Sequence, residues 1–190
     1  YGNLDDVVTV SQDAANMASD SSVCGLKAGD QITLRDLLYG LMMRSGNDAA
    51  VAIAEYISGD TDTFAGLMNT TAASLGATGS HFVNPNGLPD DNHYTTVYDL
   101  YLIFNAAIQN ETFLKILKTT DYTANYTDAA GTPVSQEWTS TNKYLAGTET
   151  APDGITVLGG KTGTTGEAGY CLVLLSQNAS GQNLISIVLK

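Results

Sequence analysis

The chain has 190 residues, of which 43% are hydrophobic and 15% are charged. This length suits one globular domain that buries roughly 70% of its unfolded surface, and the composition excludes a disordered chain. Eight basic residues against 20 acidic ones give a formal net charge of -12, which would repel duplex nucleic acid and anionic membrane surfaces, so we expect neither as a partner.

The first half of the chain carries the signals of helices. Residues 7–10 predict a short β segment, and Ser11 predicts the N-cap of a short helix. Thr33, with Asp36 three residues later, forms an acidic variant of the capping box and predicts a helix that ends just before Ser45. Further helices are predicted over the apolar residues 49–57, over 61–75, after Thr96 and over 111–118.

From residue 119 the pattern changes to that of β-strands. Alternation predicts strands around residues 122–126 and 134–138, and apolar runs predict strands over 154–158, 169–175 and 184–189, with a hairpin turn at 178–181. Residues 33–118 are therefore mainly helical and residues 119–190 mainly β. This order predicts an α+β fold with an antiparallel sheet at the C-terminal end, covered by helices.

Cys24 and Cys171 lie far apart and belong to no Cys-x-x-Cys or Cys/His cluster, which argues against a zinc site. We expect no metal and no cofactor. Two separate thiols are the favoured interpretation, and a disulfide between them remains open.

Ser45-Gly46-Asn47 lies between two strongly apolar helices. A turn of this composition is common where one helix ends and the next begins, so a purely structural role remains open. A short turn between two buried helices would also hold a hydroxyl and an amide rigidly, as a catalytic site requires.

Residues 159–166 form a run of glycine and threonine around Lys161, which we interpret as ending one strand and preceding another. The run fails the phosphate-loop pattern, because the glycine required five residues before Gly160 is Ile155. Lys161 is the only basic residue between Lys143 and Lys190. A lone lysine among small residues is suited to bind a small anion such as a carboxylate.

Ser140 and Lys143 spell S-x-x-K, a pattern that places a hydroxyl beside an amine on one helical turn. The surrounding residues look extended, and on a strand positions i and i+3 point to opposite faces. We therefore interpret this occurrence as a chance match.

Ser45-Gly46-Asn47 followed by Lys161-Thr162-Gly163 resembles two of the three motifs, S-x-x-K, S-x-N and K-T-G, of penicillin-recognising serine enzymes. Residues 34–50, 81–88, 93–96 and 168–173 are similar to D-alanyl-D-alanine carboxypeptidases, the low-molecular-mass penicillin-binding proteins. The resemblance implies a fold like that of β-lactamases and penicillin-binding transpeptidases. It also implies a hydrolase of the bacterial cell envelope, outside the cytoplasm, that acts on peptidoglycan stem peptides ending in D-Ala-D-Ala and binds β-lactam antibiotics.

The resemblance also implies roles for the S-x-N motif and for the lysine. Ser45 would relay a proton toward the leaving amine, and Asn47 would hold the substrate amide through its side chain. Lys161 would supply positive potential near the nucleophile and the substrate carboxylate.

The residues after Lys161 would bind the substrate in the same comparison. The hydroxyls of Thr162 and Thr164 could hydrogen-bond the substrate carboxylate, and the backbone N–H of Thr164 would complete an oxyanion hole. Gly163 would be small so that the strand can pass close to the helix that carries the nucleophile.

The chain departs from the family because no S-x-x-K precedes Ser45; the only earlier lysine is Lys27, and Cys24 stands three residues before it. We expect the nucleophile, its helix and the first strands of the sheet to lie before Tyr1. Residues 1–190 would then be a single but incomplete catalytic domain, inactive alone, whose surfaces exposed by the truncation could dimerise.

Two alternatives to a carboxypeptidase are a class A β-lactamase and a non-catalytic binding module. A class A β-lactamase needs a glutamate in an E-x-x-x-N element, but residues 56–110 contain no glutamate, and Glu111 and Glu137 are followed four residues later by Lys115 and Thr141. That alternative is disfavoured. A non-catalytic cell-wall binding or interaction module of the same fold remains open, because the nucleophile is absent from these residues.

Overall fold

The structure, a computed structural model, describes residues 1–189. Within that range no helix is both long and apolar enough to cross a membrane. The helices are α1 (Gln12–Ala15), α2 (Leu34–Arg44), α3 (Asn47–Ser58), α4 (Thr61–Ser74), α5 (Val97–Ala107) and α6 (Glu111–Leu117). The strands are β1 (Val7–Thr9), β2 (Gln31–Thr33), β3 (Asp121–Thr127), β4 (Pro133–Thr139), β5 (Ile155–Thr165), β6 (Gly169–Asn178) and β7 (Asn183–Val188).

The described chain divides into two compact units, each with its own sheet. The first unit consists of Tyr1–Ala65, Asn84–Asn86 and Asp121–Thr139. The second unit consists of Gly66–Val83, Gly87–Thr120 and the described chain from Ser140 onward. The assignment of residues 1–190 to a single domain stays a prediction.

The sheet of the first unit is antiparallel, in the order β1-β2-β3-β4. The strands predicted around 122–126 and 134–138 are thus present, but they join the N-terminal strands, with Gln31 opposite Thr127. The predicted antiparallel sheet at the C-terminal end is present as β5-β6-β7, but β3 and β4 belong to the other sheet. Alternation along a strand fixes which face is buried, but it does not specify the partner strand.

Helix α2 begins as its capping pattern predicts, because the Thr33 hydroxyl oxygen accepts the backbone N–H of Asp36 at 3.0 Å. The Asp36 carboxylate in turn accepts the Tyr122 hydroxyl of β3 at 2.5 Å, which ties the helix to the sheet. Helix α3 is buried on every face from Asn47 to Ala54, as its apolar composition predicts. The S-x-N turn therefore lies between two helices held firmly in the core of this unit.

The sheet of the second unit is antiparallel in the order β5-β6-β7, so β5 forms one of its edges. The predicted strand over 154–158 does not end there but continues through the Gly/Thr-rich run to Thr165. Lys161 lies in the middle of this strand, opposite Val173 of β6, rather than in a connecting loop. The run ends β5 and precedes β6 as expected, but the predicted end of the strand at residue 158 was too early, because the ladder with β6 holds these small residues extended.

Two glycines of β5 allow the backbone to pass close to neighbouring elements. A Cβ atom at Gly159 would overlap the carbonyl oxygen of Leu117, the last residue of α6, and one at Gly160 would overlap the carbonyl oxygen of Val173. Neither contact leaves room for a side chain. These glycines set how closely α6 and β6 pack against the strand that carries Lys161.

Both cysteines are free thiols, so the disulfide that the sequence left open is not formed. Cys24 lies in the core of the first unit, and burial, followed by the nearby Asp48 carboxylate, raises the pKa of its thiol far above the ordinary value. Cys24 is therefore a neutral packing residue at neutral pH.

Candidate active site

The turn between α2 and α3 holds Ser45 in a left-handed conformation, with φ 54° and ψ 38°. Ser45 is the only non-glycine residue with a positive φ among residues 1–189. The backbone N–H groups of Ser45 and Gly46 both donate to the Gly40 carbonyl and close the end of α2. A left-handed residue with a Cβ costs about 1–2 kcal/mol, and such strain is concentrated at functional positions.

Gly46 fills a position that has no room for a side chain. A Cβ there would lie 2.5 Å from the Cys24 sulfur and 2.8 Å from Oδ1 of Asp48. The middle residue of the S-x-N motif is thus fixed as glycine by the packing of residues behind the turn.

Asn47 begins α3 and is 8% exposed. Its backbone N–H and its side-chain Nδ2 both donate to the Ser22 carbonyl, each at 2.9 Å. Two hydrogen bonds to one acceptor fix both the backbone and the amide plane of Asn47. The turn thus holds the amide of its asparagine in place, as the sequence predicts.

Asp48 is a residue of this region that the sequence reasoning missed. It is 1% exposed, and its carboxylate accepts the backbone N–H groups of Cys24, Gly25, Leu26 and Ala49. The one available signal was an acidic residue in the first turn of a helix that otherwise reads as apolar.

Lys161 is half-buried in β5, and its Nζ donates to the Thr162 carbonyl at 2.5 Å. Burial lowers the pKa of its ammonium group to about 8. The group is therefore a partly desolvated cation that gains most from an anionic ligand.

The K-T-G residues alternate across the strand. Lys161 and Gly163 lie on one face of β5, and Thr162 and Thr164 lie on the other, with Gly163 and Thr164 exposed. The strand does not bring the lysine and the two threonine hydroxyls onto one face. Since β5 is an edge strand, a ligand lying along the edge can reach side chains from both faces.

Ser140 to Lys143 lie in a loop after β4, which confirms that this S-x-x-K is not a helical turn. The loop is folded into turns rather than extended as predicted, because the Ser140 hydroxyl oxygen accepts the N–H of Asn142, whose Oδ1 accepts the N–H of Tyr144. Lys143 is 72% exposed and lies 3.8 Å from the Glu149 carboxylate.

A family model described as D-alanyl-D-alanine carboxypeptidase matches residues 3–190. The chain belongs to the D-alanyl-D-alanine carboxypeptidase family. The family resemblance that the S-x-N and K-T-G motifs indicate is thereby confirmed.

Curated members of the D-alanyl-D-alanine carboxypeptidase family match nearly the whole chain. The D-alanyl-D-alanine carboxypeptidase of Streptomyces sp. (strain K15) is 37% identical over 196 residues, covering 98% of this chain and 65% of that protein. DacC of Escherichia coli (strain K12), also a D-alanyl-D-alanine carboxypeptidase, is 38% identical over 192 residues, covering 98% of this chain and 44% of that protein. The chain therefore spans about two fifths to two thirds of the length of these relatives.

Among solved structures, the Streptomyces K15 DD-transpeptidase is 36% identical with a TM-score of 0.88, covering 98% of this chain and 72% of that one. At this identity and score the likeness is one of family and not of architecture alone. The predicted α+β fold, like that of penicillin-binding transpeptidases, is confirmed.

The family motifs fall into the two units. Ser45 and Asn47 lie in the first unit, and Lys161, Thr162, Gly163 and Thr164 lie in the second. Each group is well defined within its own unit. Their assignment to one carboxypeptidase active site stays a prediction.

Proposed function

We propose that residues 1–190 are part of the catalytic domain of a serine-type D-alanyl-D-alanine carboxypeptidase. The substrate would be a peptidoglycan stem peptide ending in D-Ala-D-Ala, and β-lactam antibiotics would acylate the same site. The observation that carries the proposal is Lys161, a half-buried cation on an edge strand of an acidic chain. Such a group is suited to bind the C-terminal carboxylate of a peptide laid along that edge.

The proposed reaction is acyl transfer through a serine ester. A nucleophilic serine, supplied from outside residues 1–190, attacks the carbonyl carbon of the penultimate D-Ala, and the N–H of Thr164 stabilises the oxyanion. The proton that the attacking serine gives up passes through the Ser45 hydroxyl to the nitrogen of the terminal D-Ala. The C–N bond to the penultimate D-Ala breaks, and the terminal D-Ala leaves as the free amino acid. Water then hydrolyses the ester and regenerates the serine.

The other motif residues would hold the substrate during these steps. Asn47 would bind the substrate amide, and Lys161 would bind its carboxylate together with the hydroxyls of Thr162 and Thr164. Gly163 would keep the strand close to the helix of the nucleophile. A site for peptidoglycan would place the protein outside the cytoplasm, in the bacterial cell envelope.

A non-catalytic binding module of the same fold is the second candidate. It is favoured by one observation, namely that the S-x-x-K motif in residues 1–190 occurs only at Ser140, in a turn that is not helical. The gene sequence upstream of Tyr1 distinguishes the enzyme from the non-catalytic binding module. A Ser-x-x-Lys preceded by a signal peptide would support the enzyme, and an unrelated upstream sequence would support the binding module.

Benzylpenicillin should leave the 190-residue chain unmodified, because Ser140 has no lysine beside it on a helical turn. Intact-mass spectrometry after incubation with the drug checks this, with Ser140→Ala as the control. In the full-length protein one acyl group should appear, on a peptide outside these residues. An adduct that disappears in Ser140→Ala would show that the serine at 140 is the nucleophile.

Substitutions of Ser45 should separate the effect of its hydroxyl on acylation from the effect of its left-handed backbone on stability. In the full-length protein, Ser45→Ala and Ser45→Gly should each slow acylation by benzylpenicillin about 100-fold, because both lack the proton relay. Ser45→Gly should be the more stable of the two by about 1 kcal/mol in urea unfolding, since glycine adopts the left-handed conformation at less cost. If Ser45→Gly, the more stable variant, also acylated much faster than Ser45→Ala, the result would contradict a chemical role for the hydroxyl.

A further inference from the structure

Asp48 fastens an irregular segment of the first unit to the start of α3. Its Oδ1 accepts the N–H groups of Cys24 and Ala49, each at 2.9 Å, and its Oδ2 accepts those of Gly25 at 2.9 Å and Leu26 at 3.1 Å. Residues 22–27 have no regular secondary structure, so no ladder of backbone bonds holds them. A buried carboxylate with four N–H donors provides charge-assisted bonds in their place.

The segment that Asp48 holds carries the acceptor for Asn47. The Ser22 carbonyl, two residues before Cys24, accepts the Nδ2 of Asn47 at 2.9 Å. Because a carbonyl can only accept, the nitrogen end of the amide must face it. This bond also fixes the positions of the other two polar groups of the amide, Oδ1 and the second N–H of Nδ2. Among residues 1–189, no group donates a hydrogen bond to Oδ1.

We propose that Asp48 is a positioning residue for the side-chain amide of Asn47. It acts through the backbone of residues 22–26, whose placement determines where the Ser22 carbonyl stands. The amide is thereby set in advance to receive one donor and one acceptor of a substrate peptide bond, at little cost in side-chain entropy. The geometry is independent of the proposed function, whereas its consequence for catalysis rests on that function.

The first test observes the Asn47 amide directly. The full-length protein is labelled with ¹⁵N-asparagine and observed by NMR. The signals of the Nδ2 protons of Asn47 are assigned as those that disappear in Asn47→Asp. Asp48→Asn places an NH₂ group against donor N–H groups, so the segment should loosen and the Nδ2 protons should exchange with solvent about tenfold faster. An unchanged exchange rate would overturn the proposal.

Asp36→Asn is the matched control. Asp36 is also a buried carboxylate of the first unit, 6% exposed, but it binds the Thr33 and Tyr122 hydroxyls and not residues 22–26. This variant should lower the Tm without changing the Asn47 signal. Equal changes of that signal in both variants would show a general loss of stability and would overturn the positioning role.

A double-mutant cycle tests the catalytic consequence. Asp48→Asn should slow acylation by benzylpenicillin about tenfold in the full-length protein, but much less in an Asn47→Ala background, since it acts through that residue. Equal effects in both backgrounds would overturn the positioning role. If Asn47→Ala itself leaves acylation unchanged, the function proposed for Asn47 fails, while the exchange measurement still decides the role of Asp48.

A variant that keeps the buried charge covers the case in which Asp48→Asn does not fold. Nε2 of Gln136 donates to the Cys24 carbonyl at 2.8 Å and holds the same segment from β4. Gln136→Leu removes that bond and the 3.3 Å hydrogen bond that the Tyr126 hydroxyl donates to Oε1 of Gln136, and it leaves Asp48 in place. Faster exchange of the Asn47 amide protons in this variant supports the proposal, and unchanged exchange overturns it.

Discussion

Lys161→Ala is expected to slow acylation of the full-length protein by benzylpenicillin about 1,000-fold. Lys161 is the only basic residue in the strands of the second unit within residues 1–189, and its side chain is half-buried. A partly desolvated charge acts more strongly on an anion than an exposed one, because little water competes for it. Stopped-flow measurement of the acylation rate constant checks the effect.

Lysine 143 provides the matched control for Lys161. It lies in the same unit, but its side chain is 72% exposed, and it lies 3.8 Å from the Glu149 carboxylate. Lys143→Ala should therefore change the acylation rate less than twofold, since a surface ion pair contributes little. Equal losses in the two variants would show that net charge, and not the position of Lys161, controls the rate.

The same lysine predicts a pH dependence of acylation. Because burial lowers the pKa of Lys161 to about 8, the ammonium should lose its proton, and kcat/KM should fall, as the pH rises through that value. Lys161→Arg keeps its charge and should lack this alkaline limb. An alkaline limb near pH 8 in both proteins would assign the titration to another group.

Stability should respond to pH in the opposite direction. The unfolded state holds the proton of this lysine up to a pKa of about 10.4. Between about pH 8 and that value the unfolded state therefore binds more protons than the folded state, so the contribution of Lys161 to the free energy of unfolding rises with pH. A fall of activity above pH 8 without a fall of stability would separate titration of the site from unfolding.

Gly159→Ala is expected to destabilise the protein by about 3 kcal/mol, the upper part of the range for overpacking. The new Cβ would overlap the Leu117 carbonyl oxygen, and a backbone atom at the end of a helix cannot swing aside as a side chain can. Urea unfolding followed by circular dichroism measures the loss. A change below about 0.5 kcal/mol would show that α6 does not pack this closely against β5.

Gly163→Ala is the matched control in the same strand. A Cβ at Gly163 would meet only the Cβ of Cys171, at 4.0 Å, which is ordinary van der Waals contact. We expect its stability to stay within about 0.5 kcal/mol of the parent, while acylation slows if the nucleophile's helix passes beside this residue. Loss of stability in Gly163→Ala with none in Gly159→Ala would reverse the roles given to the two glycines.

The starts of three capped helices were predictable because capping is local. Ser11, Thr33 and Thr96 each accept an N–H from three residues later, and each was identified from its residue type and spacing. The full burial of α3 from Asn47 to Ala54 likewise follows from its composition.

The pairing of strands was not predictable in the same way. Nothing in the alternation of residues 121–139 indicates that β3 lies beside β2, almost 90 residues earlier in the chain, rather than beside the C-terminal strands. The length of β5 was missed for a related reason. Glycine and threonine at 159–165 resemble a loop until the ladder to β6 holds them extended.

Sequence alone therefore determined the family motifs, the residue types at 45–47 and 161–164, and the helices around the first motif. Only the tertiary structure decided that Ser45 is left-handed, that Lys161 is desolvated enough to titrate near pH 8, and that Asp48 holds residues 24–26. The physical reason is the distance along the chain over which each interaction acts. Capping and periodicity act over a few residues, whereas burial and the hydrogen bonds of Asp48 depend on segments that meet only when the chain folds.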